Sequence, residues 1–214
     1  MLTTIPFESS AATPPLASNR WQTIAAYLVK RRVRLTLFVF IALLLEDVII
    51  GVRPHSLLNV RDPESMVGFA LVALGFGVRS WAAGILRKSR ELTTTGPYSL
   101  VRNPLYFGSF LIMGGFCTLI DDVENIYFVM GPIAGLYYLQ ILHEERSLAR
   151  QFGPSWEEYA QRVPRLFPRR LPDASACDWH LSEWLGNREY RACVAVLAGL
   201  LAIELWHWSS SWAG

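Results

Sequence analysis

Charge is scarce in this 214-residue chain: 18% of residues are Asp, Glu, Lys or Arg, against 52% hydrophobic and 13% aromatic. That is an unusual balance for a water-soluble fold and points to a membrane protein. The formal net charge of +2 leaves no global basic field, so nucleic acid is not an expected partner. Cysteine is also sparse. Cys117, Cys177 and Cys193 stand far apart with no close-spaced pair, which excludes a disulfide framework and a thiolate metal site. His55, His143, His180 and His207 are scattered, and no two share the helical spacing that puts two imidazoles on one ion. No metal is expected. The first twenty residues lack a basic start followed by an apolar run and do not read as a cleaved secretion signal, so insertion is expected to rely on internal segments. No internal repeat is visible, and the length suits one domain.

What the chain does have is long apolar runs. A bilayer core of roughly 30 Å takes about 20 apolar residues of helix, and runs of that order cover residues 33–52, 66–86 and 190–208. Two shorter runs, 105–120 and 126–142, flank the acidic turn Asp121, Asp122, Val123, Glu124, Asn125. They predict a helical hairpin of short spans, a buried re-entrant pair being the alternative. The expected fold is therefore all-α, a polytopic membrane helix bundle of about five transmembrane helices occupying residues 33–208.

Basic residues set the expected orientation. Lys30, Arg31, Arg32 and Arg34 precede the first span; Arg87, Lys88, Arg90 and Arg102 lie between the second and third; Arg146 through Arg191 lie between the fourth and fifth. Only Arg53 and Arg61 fall on the other side. This predicts a cytoplasmic amino terminus, cytoplasmic segments 87–104 and 143–189, and an outer carboxyl terminus. Residues 1–32 form a separate region: a Pro-, Ser- and Thr-rich stretch to Asn19, expected to be mobile, then Trp21–Arg32 with Trp21, Ile24, Ala25, Leu28 and Val29 on one face, suited to the headgroup layer. Pro164 to Pro172 carries three prolines and three arginines and is expected to run extended along the surface.

Two polar stretches carry the chemistry. In the first, Arg90 to Tyr106, Gly96-Pro97 makes a turn and Pro104 suits the first position of a helix. Arg102 and Asn103 then sit at a helix mouth whose free N–H groups suit an anionic group. In the second, His143 to Arg165, Gln140 and Glu144 share a helical face where the fourth span leaves the membrane. A carboxylate there can hold a ligand's ammonium or hydroxyl groups; the plainer alternative is an exposed helix of Glu–Arg pairs.

Together these stretches resemble the isoprenylcysteine carboxyl methyltransferases and their phospholipid methyltransferase relatives. The likeness runs from about Arg79 to Pro168 and rests on Gly96-Pro97-Tyr98, Arg102-Asn103-Pro104-Leu105-Tyr106, Glu144-Glu145 with Phe152-Gly153, and Tyr159 followed by Arg162-Val163-Pro164. It implies a methyltransferase that uses S-adenosylmethionine in a cytoplasmic pocket, with a lipophilic acceptor: an isoprenylcysteine-like carboxylate, a phospholipid or another small lipid. By position it implies cofactor contacts from Arg90, Glu91, Leu92, Thr93, Tyr98, Asn103, Pro104, Leu105, Tyr106, Glu144 and Glu145. Arg102 would lie beside the transferring methyl and act with Glu144 in catalysis, and Gln140 would face the acceptor. Where an acceptor proton must be removed, Glu144, Glu145 and Tyr106 are the candidate bases.

Two positions depart from the family pattern. Asn103 stands where the family has His and cannot carry a charge near neutral pH. Gln140 stands where the prenylcysteine enzymes have an Arg, which favours a phenol, amine, thiol or other lipid group over a carboxylate. The expected partners are a membrane lipid or lipidated substrate, with oligomeric state open. The same scaffold resembles, more distantly, sterol reductases that use NADPH, and a non-catalytic lipid-binding module is a further alternative.

Four other features have plainer readings. Gly75-Phe76-Gly77 lacks the strand and third glycine of a nucleotide loop and is expected to serve helix packing. Arg79 either reaches the cofactor cavity or snorkels to the surface. Glu46 and Asp47, and Glu204 with His207, are expected to be hydrated at outer helix ends, an ion path being the alternative.

Overall fold

The computed structural model describes residues 38–39, 41–59, 61–88, 91–169 and 178–212. The amphipathic stretch 21–32, the basic cluster before the first span, and Arg90 lie outside the described residues. Among those described, the chain is helical and contains no strand. Helix α1 covers residues 41–50, α2 Pro63–Ile85, α3 Pro97–Leu100, α4 Pro104–Ile120, α5 Val123–Phe128, α6 Ala134–Phe152, α7 Pro154–Arg162, α8 Leu181–Gly186 and α9 Tyr190–Trp212.

Helix starts and stops follow local chemistry. Asp62 caps α2 by accepting from the Glu64 N–H at 3.1 Å, with Pro63 in the first turn. Pro104 opens α4, as its fixed φ and missing N–H favour. Asp121 closes α4 in the left-handed region at φ 63°, and Asp122 caps α5 by accepting from the Glu124 N–H at 2.9 Å. The acidic turn is therefore a stop followed by a cap. Between α5 and α6, residues Val129–Ile133 widen into a π-helical turn around Pro132, which absorbs the missing N–H without ending the helix. A single 29-residue helical run, Glu124–Phe152, results. It exceeds the 126–142 span read from hydropathy, because its last turns are polar and project beyond the apolar part.

By length and composition, Pro63–Ile85, Glu124–Phe152 and Tyr190–Ser211 are long and apolar enough to cross a membrane. Helix α4, at 17 residues, is shorter, and so is the described part of α1. Helices α2 and α4 are the tightest pair, and glycines set their distance. A Cβ on Gly75 would lie 2.6 Å from the Gly108 carbonyl oxygen, and one on Gly115 would lie 2.6 Å from the Gly68 carbonyl oxygen. Gly68 and Gly75 are one heptad apart, as are Gly108 and Gly115, so two glycine pairs meet along an antiparallel seam. The packing role expected for Gly75 is what the structure shows, whereas a Cβ on Gly77 would meet nothing within 4 Å. Above this seam Val72, Phe116, Leu119, Ile120 and Ile203 form the main apolar cluster.

Of the charged groups at the far ends of these helices, Glu46 is exposed as expected, whereas Asp47, Glu204 and His207 are not simply hydrated. Asp47 is buried and accepts from Asn125 Nδ2 at 2.8 Å. Glu204 accepts from the Leu57 N–H at 2.7 Å and from Ser56 Oγ at 3.1 Å, and His207 Nδ1 pairs with the Pro54 carbonyl at 2.7 Å. The loop after α1 leaves backbone polar groups that need partners, and α9 supplies them.

Candidate functional site

The site lies where α2 ends and α4 begins. Gly96 turns the chain at φ 58°, a conformation that favours glycine, and α3 follows. Arg102 donates its backbone N–H to the Pro164 carbonyl at 2.9 Å, and Tyr159 donates its hydroxyl to the Tyr98 carbonyl at 2.7 Å. Burial holds the Tyr98 and Tyr159 phenols well above their ordinary pKa range, so both stay protonated donors. Helix α6, the turn at Gly153 (φ 51°) and α7 fold back over this entrance, and residues 163–169 run non-helical as the prolines predict.

These elements enclose a polar cavity of about 550 Å³. Of the residues implied by the resemblance, Glu91, Leu92, Thr93, Tyr98, Arg102, Asn103, Pro104, Leu105, Tyr106 and Glu144 all line it. Tyr106 donates its hydroxyl to Glu144 Oε1 at 2.8 Å, and Gln140 Nε2 donates to the same oxygen at 2.5 Å. The first and second polar stretches thus converge through one carboxylate. Three buried wall atoms, Thr93 Oγ1, the Tyr98 hydroxyl and Arg102 Nε, have no hydrogen-bond partner among the described residues. Unsatisfied buried polar atoms are costly, and a ligand rich in hydroxyl, carboxylate and amino groups would satisfy them.

Two residues stand elsewhere. Glu145 is not on the cavity wall. Its buried carboxylate accepts from Asn103 Nδ2 at 3.0 Å and from Arg165 Nε at 3.0 Å, with Arg102 Nε at 3.4 Å. The carboxylate thereby ties Arg102 and Asn103, at the entrance of α4, to Arg165. Gln140 is buried behind Glu144 rather than on the wall. Asn103, standing where the family has His, therefore keeps a structural role, bridging Glu145 to the Arg165 carbonyl, which accepts from Asn103 Nδ2 at 3.1 Å.

Arg79 reaches the cavity and does not snorkel. It forms a bidentate pair with buried Glu189, at 2.8 and 2.9 Å, and donates to Ser109 Oγ at 2.6 Å and to the Leu105 carbonyl at 3.1 Å. Sequence reasoning missed this partner, 110 residues away. It also missed the docking of residues 178–189 on the end of α2. There Trp184 Nε1 donates to Ser80 Oγ at 3.0 Å, and Asn187 Nδ2 donates to the Ala83 and Leu86 carbonyls at 2.9 and 2.8 Å. Other wall residues, Tyr137, Ser147, Leu148 and Gln151, carried a readable signal, because they repeat at three, four and seven residues from Glu144.

Next to the polar cavity is an apolar one of about 700 Å³, lined by residues including Leu71, Phe107, Phe110, Leu111, Tyr138, Ile141 and Phe167. Tyr106 and Phe107 are neighbours on α4, one on each wall, and Tyr137, which lines the polar side, packs edge-on against Tyr106 with centroids 5.6 Å apart.

Fold and site together define an all-helical membrane protein with a polar ligand cavity at one end of its bundle and an apolar groove beside it. Residues 63–155 match the family described as phospholipid methyltransferase. The chain is 36% identical over 106 residues to the nickel-cobalt-cadmium resistance protein NccN of Alcaligenes xylosoxydans xylosoxydans, covering 49% of this chain and 48% of that protein. It is 37% identical over 126 residues to the cobalt-zinc-cadmium resistance protein CzcN of Cupriavidus metallidurans, covering 57% and 56%. A more distant relative is the protein-S-isoprenylcysteine O-methyltransferase of Schizosaccharomyces pombe, 29% identical over 99 residues, covering 46% and 42%. The chain spans about half the length of the curated relatives it matches. No solved structure matches it.

Proposed function

We propose that the chain is a membrane methyltransferase that takes S-adenosylmethionine into the polar cavity from the cytosol and passes its methyl group to a lipophilic acceptor held in the apolar groove. The observation that carries this reading is the meeting of Tyr106 and Glu144 at 2.8 Å on the wall of the polar cavity, while Phe107, next to Tyr106 on α4, lines the apolar one. The cofactor would supply an electrophilic methyl on a sulfonium. Arg79 and Arg102 are the cations suited to its carboxylate, Glu144 to its ammonium or ribose hydroxyls, and Thr93 and the Tyr98 hydroxyl to remaining polar groups. The residues contribute chiefly by orientation and exclusion of water, the main sources of rate in a displacement at carbon. The acceptor's tail would lie against Phe107, Phe110 and Tyr138. Where the acceptor carries a proton, Glu144 is the base on the wall, with Tyr106 beside it.

Gln140, standing where the prenylcysteine enzymes have an Arg, supports a phenol, amine, thiol or lipid headgroup as acceptor over a carboxylate. Membranes from cells expressing the chain, given S-adenosylmethionine labelled in the methyl group, are expected to transfer label into a total lipid extract. Glu144→Ala should abolish the transfer. Folded protein that transfers nothing to any extract would leave only a lipid-binding module. The two relatives named for resistance to transition metals favour a setting for this activity, a membrane exposed to those cations. On that reading, growth of expressing cells in cobalt depends on Glu144.

A further inference from the structure

We propose that His55, Glu64 and Asp121 form a second site, for a divalent transition-metal cation, at the end of α2 and α4 opposite the polar cavity. The inference is independent of methyl transfer. His55 lies in the loop after α1, Glu64 in the first turn of α2, and Asp121 at the end of α4. Three separate elements therefore bring one imidazole and two carboxylates together, with their ligand atoms all within 4.8 Å of one another. Spacing along the sequence hides this, because the two acidic ligands are 57 residues apart in the numbering of Glu64 and Asp121.

The decisive atom is His55 Nε2. It is buried and has no hydrogen-bond partner among the described residues, yet it lies 3.0 Å from Glu64 Oε2 and 3.6 Å from Asp121 Oδ2. On the other side of the ring, Nδ1 is 2.6 Å from Asp62 Oδ2. A carboxylate hydrogen-bonded to Nδ1 fixes the ring and turns Nε2 toward the other two side chains, the arrangement that commonly orients a metal-bound histidine. All three side chains thus turn a possible ligand atom toward one point, where a cation would be held between them. Asp62 is itself fixed, since its other oxygen caps α2, and the loop is fixed by the His55 N–H donating to the Leu119 carbonyl at 2.8 Å.

Donors on one ion at about 2.0–2.2 Å stand up to about 4.4 Å apart. Glu64 and Asp121, 62% and 59% exposed, can close that gap by small rotations, and their exposure leaves coordination positions for water. One imidazole with two carboxylates and no thiolate suits zinc, cobalt or nickel better than calcium, which takes six to eight oxygens.

The test is titration of the full-length, chelator-treated protein in detergent with ZnCl2 by calorimetry and with CoCl2 by visible absorption. The expected result is one ion per chain, with binding weakened at least tenfold by Glu64→Ala combined with Asp121→Asn, since Asn also tolerates the left-handed backbone there, and abolished by His55→Gln. The acidic pair is exposed, so circular dichroism of that double variant should match the wild type. Absence of zinc and cobalt binding, binding unchanged in the double variant, or calcium binding tighter than zinc would overturn the proposal. S-adenosylmethionine binding should be unchanged in the double variant.

Discussion

Glu145→Ala is expected to lower the stability of the detergent-solubilised protein by about 3–5 kcal/mol, the range for removing one partner of a buried ion pair. The carboxylate is buried and serves three groups on two segments: Arg102 and Asn103 before α4, and Arg165 after α7. Removing it leaves the Arg102 side chain, 12% exposed, without its counter-charge in the entrance wall. For a chain of this size about 2–4 °C is lost per kcal/mol, so a fall of roughly 10 °C in the melting temperature is expected. Glu145→Gln keeps the shape and an acceptor for Asn103, and should lose less. A shift under about 2 °C for the alanine variant would show that the network does not hold the entrance.

The second large effect is Gly75→Leu. The new Cβ would sit 2.6 Å from the Gly108 carbonyl oxygen and 2.8 Å from the Ile112 backbone nitrogen, and neither can move without its helix. Overpacking that meets side chains costs about 1–3 kcal/mol, and a clash with backbone on the tightest seam belongs at or above the top of that range. The internal control is Gly77→Leu, two residues along the same helix, where a Cβ meets nothing within 4 Å. That variant should stay within about 0.5 kcal/mol of the wild type. Thermal unfolding of both in one detergent checks the pair, and equal effects would contradict the glycine seam.

Much of this was legible in the chain, and the unread parts share a cause. The α2 and α9 spans, the helix start at Pro104 and the turn at Gly96 are local events, written in apolar run length, proline and glycine. The cavity wall from Glu91 to Tyr106 and Glu144 was legible because its residues cluster in two short stretches. The Arg79–Glu189 pair, the docking of Trp184 and Asn187 on α2, and the grouping of His55, Glu64 and Asp121 depend on which helix ends meet. No period or motif records that. The continuation of α6 to Phe152 was obscured because hydropathy marks only the apolar part of a helix. The burial of Asp47 was obscured because charge at a span's end ordinarily signals water, whereas here Asn125 supplies the hydrogen bond.

The central claim is that the cavity joining Arg102–Tyr106 to Glu144 is an S-adenosylmethionine site, and calorimetric titration of the purified wild-type protein tests it most directly. The account predicts binding of one cofactor per chain, weakened at least tenfold by Glu144→Ala, which removes a charged hydrogen-bond partner worth about 1.5–3 kcal/mol, with no binding of NADPH. Binding of NADPH in place of S-adenosylmethionine, or cofactor affinity indifferent to Glu144, would contradict it.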